Sequence, residues 1–173
     1  KKAMGMRVGN SPVELDQLDY ARKCLAESNG RLIVPDDAVI TDSFEEKPGR
    51  QIKVVNTEVE HGEGIPDGFE GCDIGPKTIA FYESVIAKAK MVFWNGPVGV
   101  FEQKDFQNGT IAICKAIAAL KGKAFTVCGG GDSASAVKQF GYKKEFSHVS
   151  TGGGASLEMI ENDGHLPGVD VLR

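Results

Sequence analysis

The chain has 173 residues, of which 41% are hydrophobic and 25% charged, and its formal net charge is −4. This balance is typical of a globular domain with a real core, and the acidic excess argues against a nucleic-acid-binding protein, whose contact face is basic. No apolar run approaches the roughly 20 residues that span a bilayer, so no membrane association is expected. The four cysteines are widely spaced, which is typical of packed, reduced thiols in a cytosolic protein.

The first part of the chain predicts one helix and several short strands. Ser11 and Pro12 form a helix start, apolar residues follow at helical spacing, and Asn29 and Gly30 supply a stop. Strands are predicted over residues 32–34, 38–40 and 51–55, the last at a sheet edge. Residues 56–71 are predicted to form a loop.

From residue 78 onward the sequence repeats one unit: an apolar strand, a glycine-rich loop and a helix. The predicted strands are 91–94, 124–128 and 148–150, and the predicted helices are 78–89, 106–120, 133–140 and 155–161. Such alternation predicts parallel strands joined by right-handed crossover helices. The expected fold is therefore α/β, with a three-layer, Rossmann-like parallel sheet flanked by helices.

Three glycine-rich loops, over residues 95–99, 129–132 and 152–154, each follow a predicted strand and precede a helix. In a parallel sheet the ligand crevice lies beyond the carboxyl ends of the strands. Glycines let backbone N–H groups approach an anion, and a helix N-terminus adds a partial positive charge. Glycine after a strand also serves tight turns, but three clusters at three strand ends favour a polyphosphate site.

Asp132, Ser133 and Glu102 are candidates for this site. Asp73 and Lys77, just before the helix predicted at Thr78, are further candidates, although Lys77 also suits a plain surface cation. Asp132 follows the triple glycine, where it suits a carboxylate that bridges Mg²⁺ to phosphate oxygens; the alternative is that it caps its helix. Ser133 also fits either a cap or a phosphate contact. Glu102 lies one loop away and can accept hydrogen bonds from ribose hydroxyls, although a lone carboxylate is more often a solvated surface charge.

Two other nucleotide-binding motifs are matched only in part, so neither is assigned. The segment 62–67 begins like the dinucleotide fingerprint G-x-G-x-x-G, but its third glycine is Asp67 and no strand precedes it. In the segment 71–78, the glycine that a P-loop needs before lysine is Pro76. An oxidoreductase with a Rossmann fold is therefore disfavoured.

Four strings together resemble the C-terminal nucleotide-binding domain of phosphoglycerate kinases. They are G-C-D-I-G-P-K-T at 71–78, W-N-G-P-V-G-V-F-E at 94–102, G-G-G-D-S at 129–133 and S-H-V-S-T-G-G-G-A-S at 147–156. The similarity extends from about residue 9 to the last residue. It implies that residues 1–173 are this domain, without its first βα segment and without the N-terminal domain that binds the phosphoglycerate.

The resemblance also implies a role for each matching residue. Gly71 lies against adenine, Glu102 holds the ribose, and Asp132 is the metal ligand. Nucleotide contacts are further implied for Asn95, Gly96, Pro97, Gly130, Gly131 and Ser133, and backbone contacts to the phosphoryl group in flight for Gly152, Gly153 and Gly154. Pro12 and Cys72 stand where the family usually has leucines at the adenine.

The implied reaction transfers a phosphoryl group between 1,3-bisphosphoglycerate and ADP, giving 3-phosphoglycerate and ATP, with Mg²⁺ as cofactor. The implied protein is a monomeric cytoplasmic enzyme of glycolysis. The alternative reading is a nucleotide-binding fragment that is catalytically incompetent by itself. Either way the expected partner of this chain is ADP or ATP.

Overall fold

The computed structural model describes residues 1–172. They form two compact units, each with its own three-stranded sheet. The first unit comprises Lys1–Phe81 and Glu102–Gly109, and the second comprises Tyr82–Phe101 and the described residues from Thr110 onward. None of the helices in the described part of the chain is long and apolar enough to cross a bilayer.

From Pro76 onward, helices and strands alternate along the chain as the sequence predicts. The strands are β1 (Asp37–Thr41), β2 (Ile52–Asn56), β3 (Glu70–Ile74), β4 (Met91–Asn95), β5 (Phe125–Gly129) and β6 (His148–Ser150). The helices are α1 (Leu18–Glu27), α2 (Pro76–Ile86), α3 (Asn108–Ala118), α4 (Gly131–Gln139), α5 (Gly153–Glu161) and α6 (Pro167–Asp170). Short 3₁₀ turns cover Leu15–Gln17, Lys104–Phe106 and Lys143–Glu145.

The sheet of the second unit is parallel, in the order β4-β5-β6. Helix α3 follows β4 and helix α4 follows β5 along the chain, so each helix connects neighbouring parallel strands. The predicted α/β class, a Rossmann-like parallel sheet flanked by helices, is confirmed.

The core of the second unit joins this sheet to its helices. Its buried members are Trp94, Ile113, Cys114, Ile117, Cys128, Val137 and Phe146, with Tyr82 and Ile86 of α2 packed against them. Trp94 stacks on Phe146 with ring centroids 6.2 Å apart, and its indole nitrogen has no hydrogen-bond partner within residues 1–172. Since protein interiors are close-packed, this core holds the parallel sheet and its helices together.

All four cysteines are unpaired, and three of them are buried. Burial raises the pKa of Cys114 to about 12 and the pKa values of Cys72 and Cys128 to about 11. These thiols are therefore protonated near neutral pH and are poor nucleophiles. The prediction of packed thiols is confirmed for these three, while Cys24 is half-buried.

The sheet of the first unit was not predicted: it is antiparallel, in the order β2-β1-β3. The edge position of β2 agrees with the sequence, whereas β3 begins at the end of the predicted loop 56–71 and continues through residues for which no element was predicted. The predicted strand over 32–34 was wrong. Leu32 and Ile33 are 47% and 39% exposed and lie outside the strands of residues 1–172. An apolar run alone is therefore not sufficient to predict a strand here.

The first helix starts later than its sequence signal predicts. Helix α1 begins at Leu18, after a 3₁₀ turn, with no side-chain cap at either start. Ser11 instead accepts a hydrogen bond from the Gly71 amide, with Oγ 3.0 Å from the nitrogen. The predicted stop is confirmed, since Asn29 and Gly30 both have positive φ, 50° and 75°.

Two buried carboxylates of the first unit hold helix N-termini. Asp37 accepts hydrogen bonds from the Lys77 amide at 2.9 Å and the Thr78 amide at 2.8 Å, in the first turn of α2. Asp73 accepts one from the Gly109 amide at 2.7 Å, in the first turn of α3. Negative charge at these positions is favoured by the helix dipole.

Asp73 makes the stability of the protein depend on pH. Burial raises its pKa from 3.8 to about 6, while hydrogen bonds from Gly109 and Ile74 partly oppose the rise. The folded state therefore holds its proton to higher pH than the unfolded state. The stability that this group contributes is complete below pH 3.8 and is lost as the pH rises through about 6. At about 1.4 kcal/mol per pKa unit, the loss is about 3 kcal/mol.

The unfolding free energy of the parent should fall between pH 4 and pH 7 as Asp73 loses its proton. We expect Asp73→Asn to reduce this fall by about 3 kcal/mol, because asparagine does not titrate. Denaturant unfolding of variant and parent at half-unit pH intervals measures the difference. Asp67→Asn, at an exposed loop carboxylate, is the control and should follow the parent. Parallel pH profiles for Asp73→Asn and the parent would contradict the prediction.

Candidate functional site

The parallel register of the second unit aligns the ends of its three strands. Asn95 of β4 pairs with Gly129 of β5, and Gly129 pairs with Ser150 of β6. The three predicted glycine loops leave the sheet from these positions. They therefore share one edge, the edge at which ligands of parallel sheets bind.

The loops also contact one another. A Cβ atom built on Gly153 would lie 2.5 Å from the Asn95 Oδ1, 2.7 Å from the Gly130 Cα and 2.9 Å from the Gly130 nitrogen. Real Cβ atoms do not come that close to a backbone, so only glycine fits at the start of α5. The structure thus brings Asn95, Gly130 and Gly153 together at one point.

A buried hydroxyl ties the loop after β4 to helix α4. The Gly96 amide donates a hydrogen bond to the Ser133 Oγ at 2.6 Å, and Ser133 is fully buried. Gly96 has a φ of 97°, which favours glycine. Ser133 therefore positions the loop that carries Asn95 and Pro97, a role that the sequence did not indicate.

Two helix N-termini open at this edge. Helix α4 begins at Gly131 after an N-cap at Gly130, whose φ is 98° and whose cap uses no side chain. Helix α5 begins at Gly153 after an N-cap at Gly152. The first-turn amides of a helix have no intrahelical acceptor. Gly131 and Gly154 each face open space, with no atom within 4 Å of a built Cβ, so a ligand can reach these turns.

Asp132 is the second residue of α4, and it is exposed. The alternative that it caps this helix is not supported, because the N-cap is Gly130. No group of three or more His, Cys, Asp or Glu side chains in residues 1–172 is placed to hold a metal ion. The site thus offers one exposed carboxylate, which fits a metal held mainly by phosphate oxygens and water, as Mg²⁺ commonly is.

Beside the first turn of α4 lies a cationic depression of about 200 Å³. Among residues 1–172 its lining includes Gly131, Ser135, Lys138, Lys143, Val149 and Thr151, and no carboxylate. Two ammonium groups next to the N-terminus of α4 make this surface attractive to anions. Sequence reasoning missed both lysines because they lie outside the glycine motifs.

Gly71 and Glu102, the predicted adenine and ribose residues, belong to the first unit. Both are exposed. A Cβ built on Gly71 would lie 3.1 Å from the Ile65 Cδ1 and 3.7 Å from the Ser11 Oγ. Ile65, Ser11 and Pro12 also line a mainly apolar cavity of about 390 Å³, a size and lining typical of small-molecule sites.

Comparison with known proteins identifies the relatives of this chain. The sequence model of the family described as phosphoglycerate kinase matches residues 1–163. The phosphoglycerate kinase of Spiroplasma citri is 48% identical over 171 residues, covering 99% of this chain and 39% of that protein. The phosphoglycerate kinase of Fervidobacterium nodosum is 49% identical over 172 residues, covering 97% of this chain and 41% of that protein.

A solved structure agrees with the sequence relatives. The phosphoglycerate kinase of Coxiella burnetii superposes with a TM-score of 0.85 at 36% identity, covering 99% of this chain and 42% of that one. The chain spans about two fifths of the length of the relatives it matches. On the match of the family model and these relatives, the chain belongs to the phosphoglycerate kinase family.

Proposed function

We propose that this chain is the C-terminal, nucleotide-binding domain of a phosphoglycerate kinase and that the second unit binds the phosphates of ADP or ATP. One observation carries the proposal: three glycine loops meet at the carboxyl edge of one parallel sheet, where Gly153 lies against Gly130 and Asn95. Two helix N-termini open at that point. An arrangement of this kind binds polyphosphate through backbone amides.

The chemistry that the edge supports is phosphoryl transfer. In this reaction the bond between phosphorus and the acyl oxygen of 1,3-bisphosphoglycerate breaks, and a bond to a terminal oxygen of ADP forms. Charge spreads over the three equatorial oxygens in the transition state, so positioning and electrostatics provide most of the catalysis. We assign that stabilisation to the amides of Gly152, Gly153 and Gly154 at the start of α5. The buried, protonated thiols fit a reaction that needs no side-chain nucleophile.

The remaining phosphate contacts are assigned to the loops after β4 and β5. Asn95, Gly96 and Pro97 belong to the first of these loops, and Gly130 and Gly131 lie where the second meets α4. Ser133, implied as a contact by the family resemblance, is fully buried and acts through its hydrogen bond with the Gly96 amide. Asp132 would hold Mg²⁺, which neutralises phosphate charge when it is bound with the nucleotide. Lys138 and Lys143 add long-range attraction for the anion.

Asp132 gives the direct test of the metal role. We expect Asp132→Ala to lower the affinity for MgADP about tenfold or more, because a ligand of the metal is lost. The affinity for ADP without Mg²⁺ should be unchanged or slightly higher, since a negative charge beside the phosphates is removed. Titration calorimetry with and without Mg²⁺ measures both affinities.

The matched control is Glu161→Ala, which removes an exposed carboxylate from the last turn of α5. It should bind both forms of the nucleotide like the parent. The metal role of Asp132 is abandoned if the Asp132→Ala and Glu161→Ala proteins have the same Mg²⁺ dependence.

We further propose that Gly71 contacts adenine and that Glu102 holds the ribose, as the family resemblance implies. Two observations support the first assignment. Gly71 is exposed, and its neighbours Ile65 and Ser11 line the 390 Å³ apolar cavity. Pro12, which stands where the family usually has leucine, lines the same cavity. The substitution therefore changes the shape of the cavity wall without filling the cavity.

The complete reaction is proposed for the whole enzyme, in the cytoplasm and as a monomer, with the phosphoglycerate bound by an N-terminal domain. A coupled assay of ATP formation on the whole enzyme tests this reaction, while the alternative, a nucleotide-binding fragment without turnover, concerns residues 1–173 by themselves. The proposal expects MgADP binding by residues 1–173 alone and turnover only where that domain is present. Absence of nucleotide binding by the folded chain would reject both.

A further inference from the structure

Arg50 is a nearly buried cation that no motif of the sequence singled out. Its side chain is 9% exposed. A turn presents it: the Arg50 amide donates to the Lys47 carbonyl at 3.1 Å, and Gly49 has a φ of 84°. Pro48 followed by Gly49 is the combination that a type II turn prefers. The local sequence therefore fixes the backbone position from which the Arg50 side chain extends.

Within residues 1–172, the side-chain hydrogen bonds, ion pair and ring contact of Arg50 go to residues just after Glu102. Its Nη1 donates to the Gln103 Oε1 at 3.2 Å, and its Nη2 forms an ion pair with Asp105. Its guanidinium carbon lies 5.6 Å from the centroid of the Phe106 ring, which is fully buried. Arginine is suited to this use, because a planar fork can bond two partners and stack on a ring together.

Gln103 continues this network. Its Nε2 donates to the Phe44 carbonyl at 3.1 Å, while its Oε1 accepts from Arg50. The Gln103 carbonyl also accepts from the Phe106 amide at 3.0 Å, which closes the 3₁₀ turn Lys104–Phe106. The residue next to Glu102 is thus fixed by both its side chain and its backbone.

We infer that Arg50 is the positioning residue for Glu102: its contacts with Gln103, Asp105 and Phe106 fix the backbone from which the Glu102 carboxylate reaches the ribose of the nucleotide. This rests on the proposed function for the role of Glu102 itself. Glu102 is exposed, and a mobile backbone segment that carried it would lose conformational entropy when the nucleotide binds. A segment that Arg50 already holds in place does not incur this cost on binding.

The experiment compares ADP with 2′,3′-dideoxy-ADP, which keeps the base and phosphates but lacks both ribose hydroxyls. Calorimetry gives the ratio of the two dissociation constants for each protein. We expect the parent to prefer ADP about tenfold, because a carboxylate loses its hydrogen bonds with the dideoxy form. Glu102→Gln should reduce this preference for ADP over dideoxy-ADP to about twofold.

Arg50→Lys should lower the ratio about threefold, because a compact ammonium lacks the planar fork that bonds Gln103 and Asp105 while it lies over Phe106. Its affinity for dideoxy-ADP should stay within about twofold of the parent. Gln103→Ala, which leaves Arg50 in place, should lower the ratio to a similar extent. Adding Arg50→Lys to Glu102→Gln should change nothing more, since the two residues act through one carboxylate.

Arg22→Lys is the matched control: Arg22 pairs with Asp19 at 2.5 Å on α1, with its side chain 54% exposed. It should keep the parent ratio. A ratio unchanged by Glu102→Gln would reject the ribose role and this inference together. A ratio sensitive to Glu102→Gln but unchanged by Arg50→Lys and Gln103→Ala would overturn the inference alone, as would equal losses of affinity for both nucleotides.

Discussion

Gly153→Ala is expected to lower the affinity for MgADP about 100-fold, the cost of displacing binding groups by about 1 Å. The added methyl group would lie 2.7 Å from the Gly130 Cα and 2.5 Å from the Asn95 Oδ1. The asparagine side chain can rotate, but the Gly130 backbone cannot. Either α5 or the loop before α4 must therefore move, and the amides of both are proposed phosphate ligands.

The same variant should lose about 1–3 kcal/mol of stability, as overpacked sites do. Gly154→Ala is its matched control for folding, one residue further along α5, where a Cβ meets no atom within 4 Å. Alanine is the better helix former, so this control should equal the parent or gain up to about 1 kcal/mol. Thermal unfolding and MgADP titration of all three proteins measure the effects. Parent-like melting and affinity for Gly153→Ala would show that the close approach is unimportant.

Asp37→Ala is expected to cost about 3–5 kcal/mol, the range for breaking a buried polar network. The Asp37 carboxylate accepts hydrogen bonds from the Thr78 hydroxyl at 2.6 Å and from the amides of Thr78 and Lys77. Thr78 is 1% exposed, so its donors cannot turn to water when the carboxylate is removed. A buried donor without an acceptor costs about 1–3 kcal/mol.

Denaturant unfolding measures this loss, and the melting temperature should fall by about 10 °C for a chain of this size. Asp36→Ala is the neighbouring control. Asp36 uses its backbone, not its carboxylate, in its contacts with Thr78 and Thr57, so a change below about 0.5 kcal/mol is expected. Equal losses in the two variants would mean that the carboxylate of Asp37 does not hold the start of α2.

The sequence predicted the second unit well because its signals are local. Strands β4, β5 and β6 are apolar runs that end in glycine loops, and helices α4 and α5 start directly after the loops that follow β5 and β6. The position of Asn95, Gly129 and Ser150 along one edge then follows from parallel pairing alone.

The first unit was harder to predict because distant residues decide it. Strand β3 has a glutamate and a glycine among its five residues, and it exists because it pairs with β1. The caps of Asp37 and Asp73 reach residues 41 and 36 positions away, so no local pattern reveals them. Arg50 lies in a polar stretch with no motif, and only the fold places it beside Gln103.

Trp94 is the only tryptophan of the chain, and it lies in the second unit, one residue before Asn95. Its ring is 7% exposed and packs among apolar side chains. Emission at wavelengths specific for tryptophan therefore reports on the second unit alone, whereas far-ultraviolet circular dichroism reports on both. If the two signals change at different denaturant concentrations, the two units unfold in separate steps; if they coincide, the chain unfolds as one cooperative body.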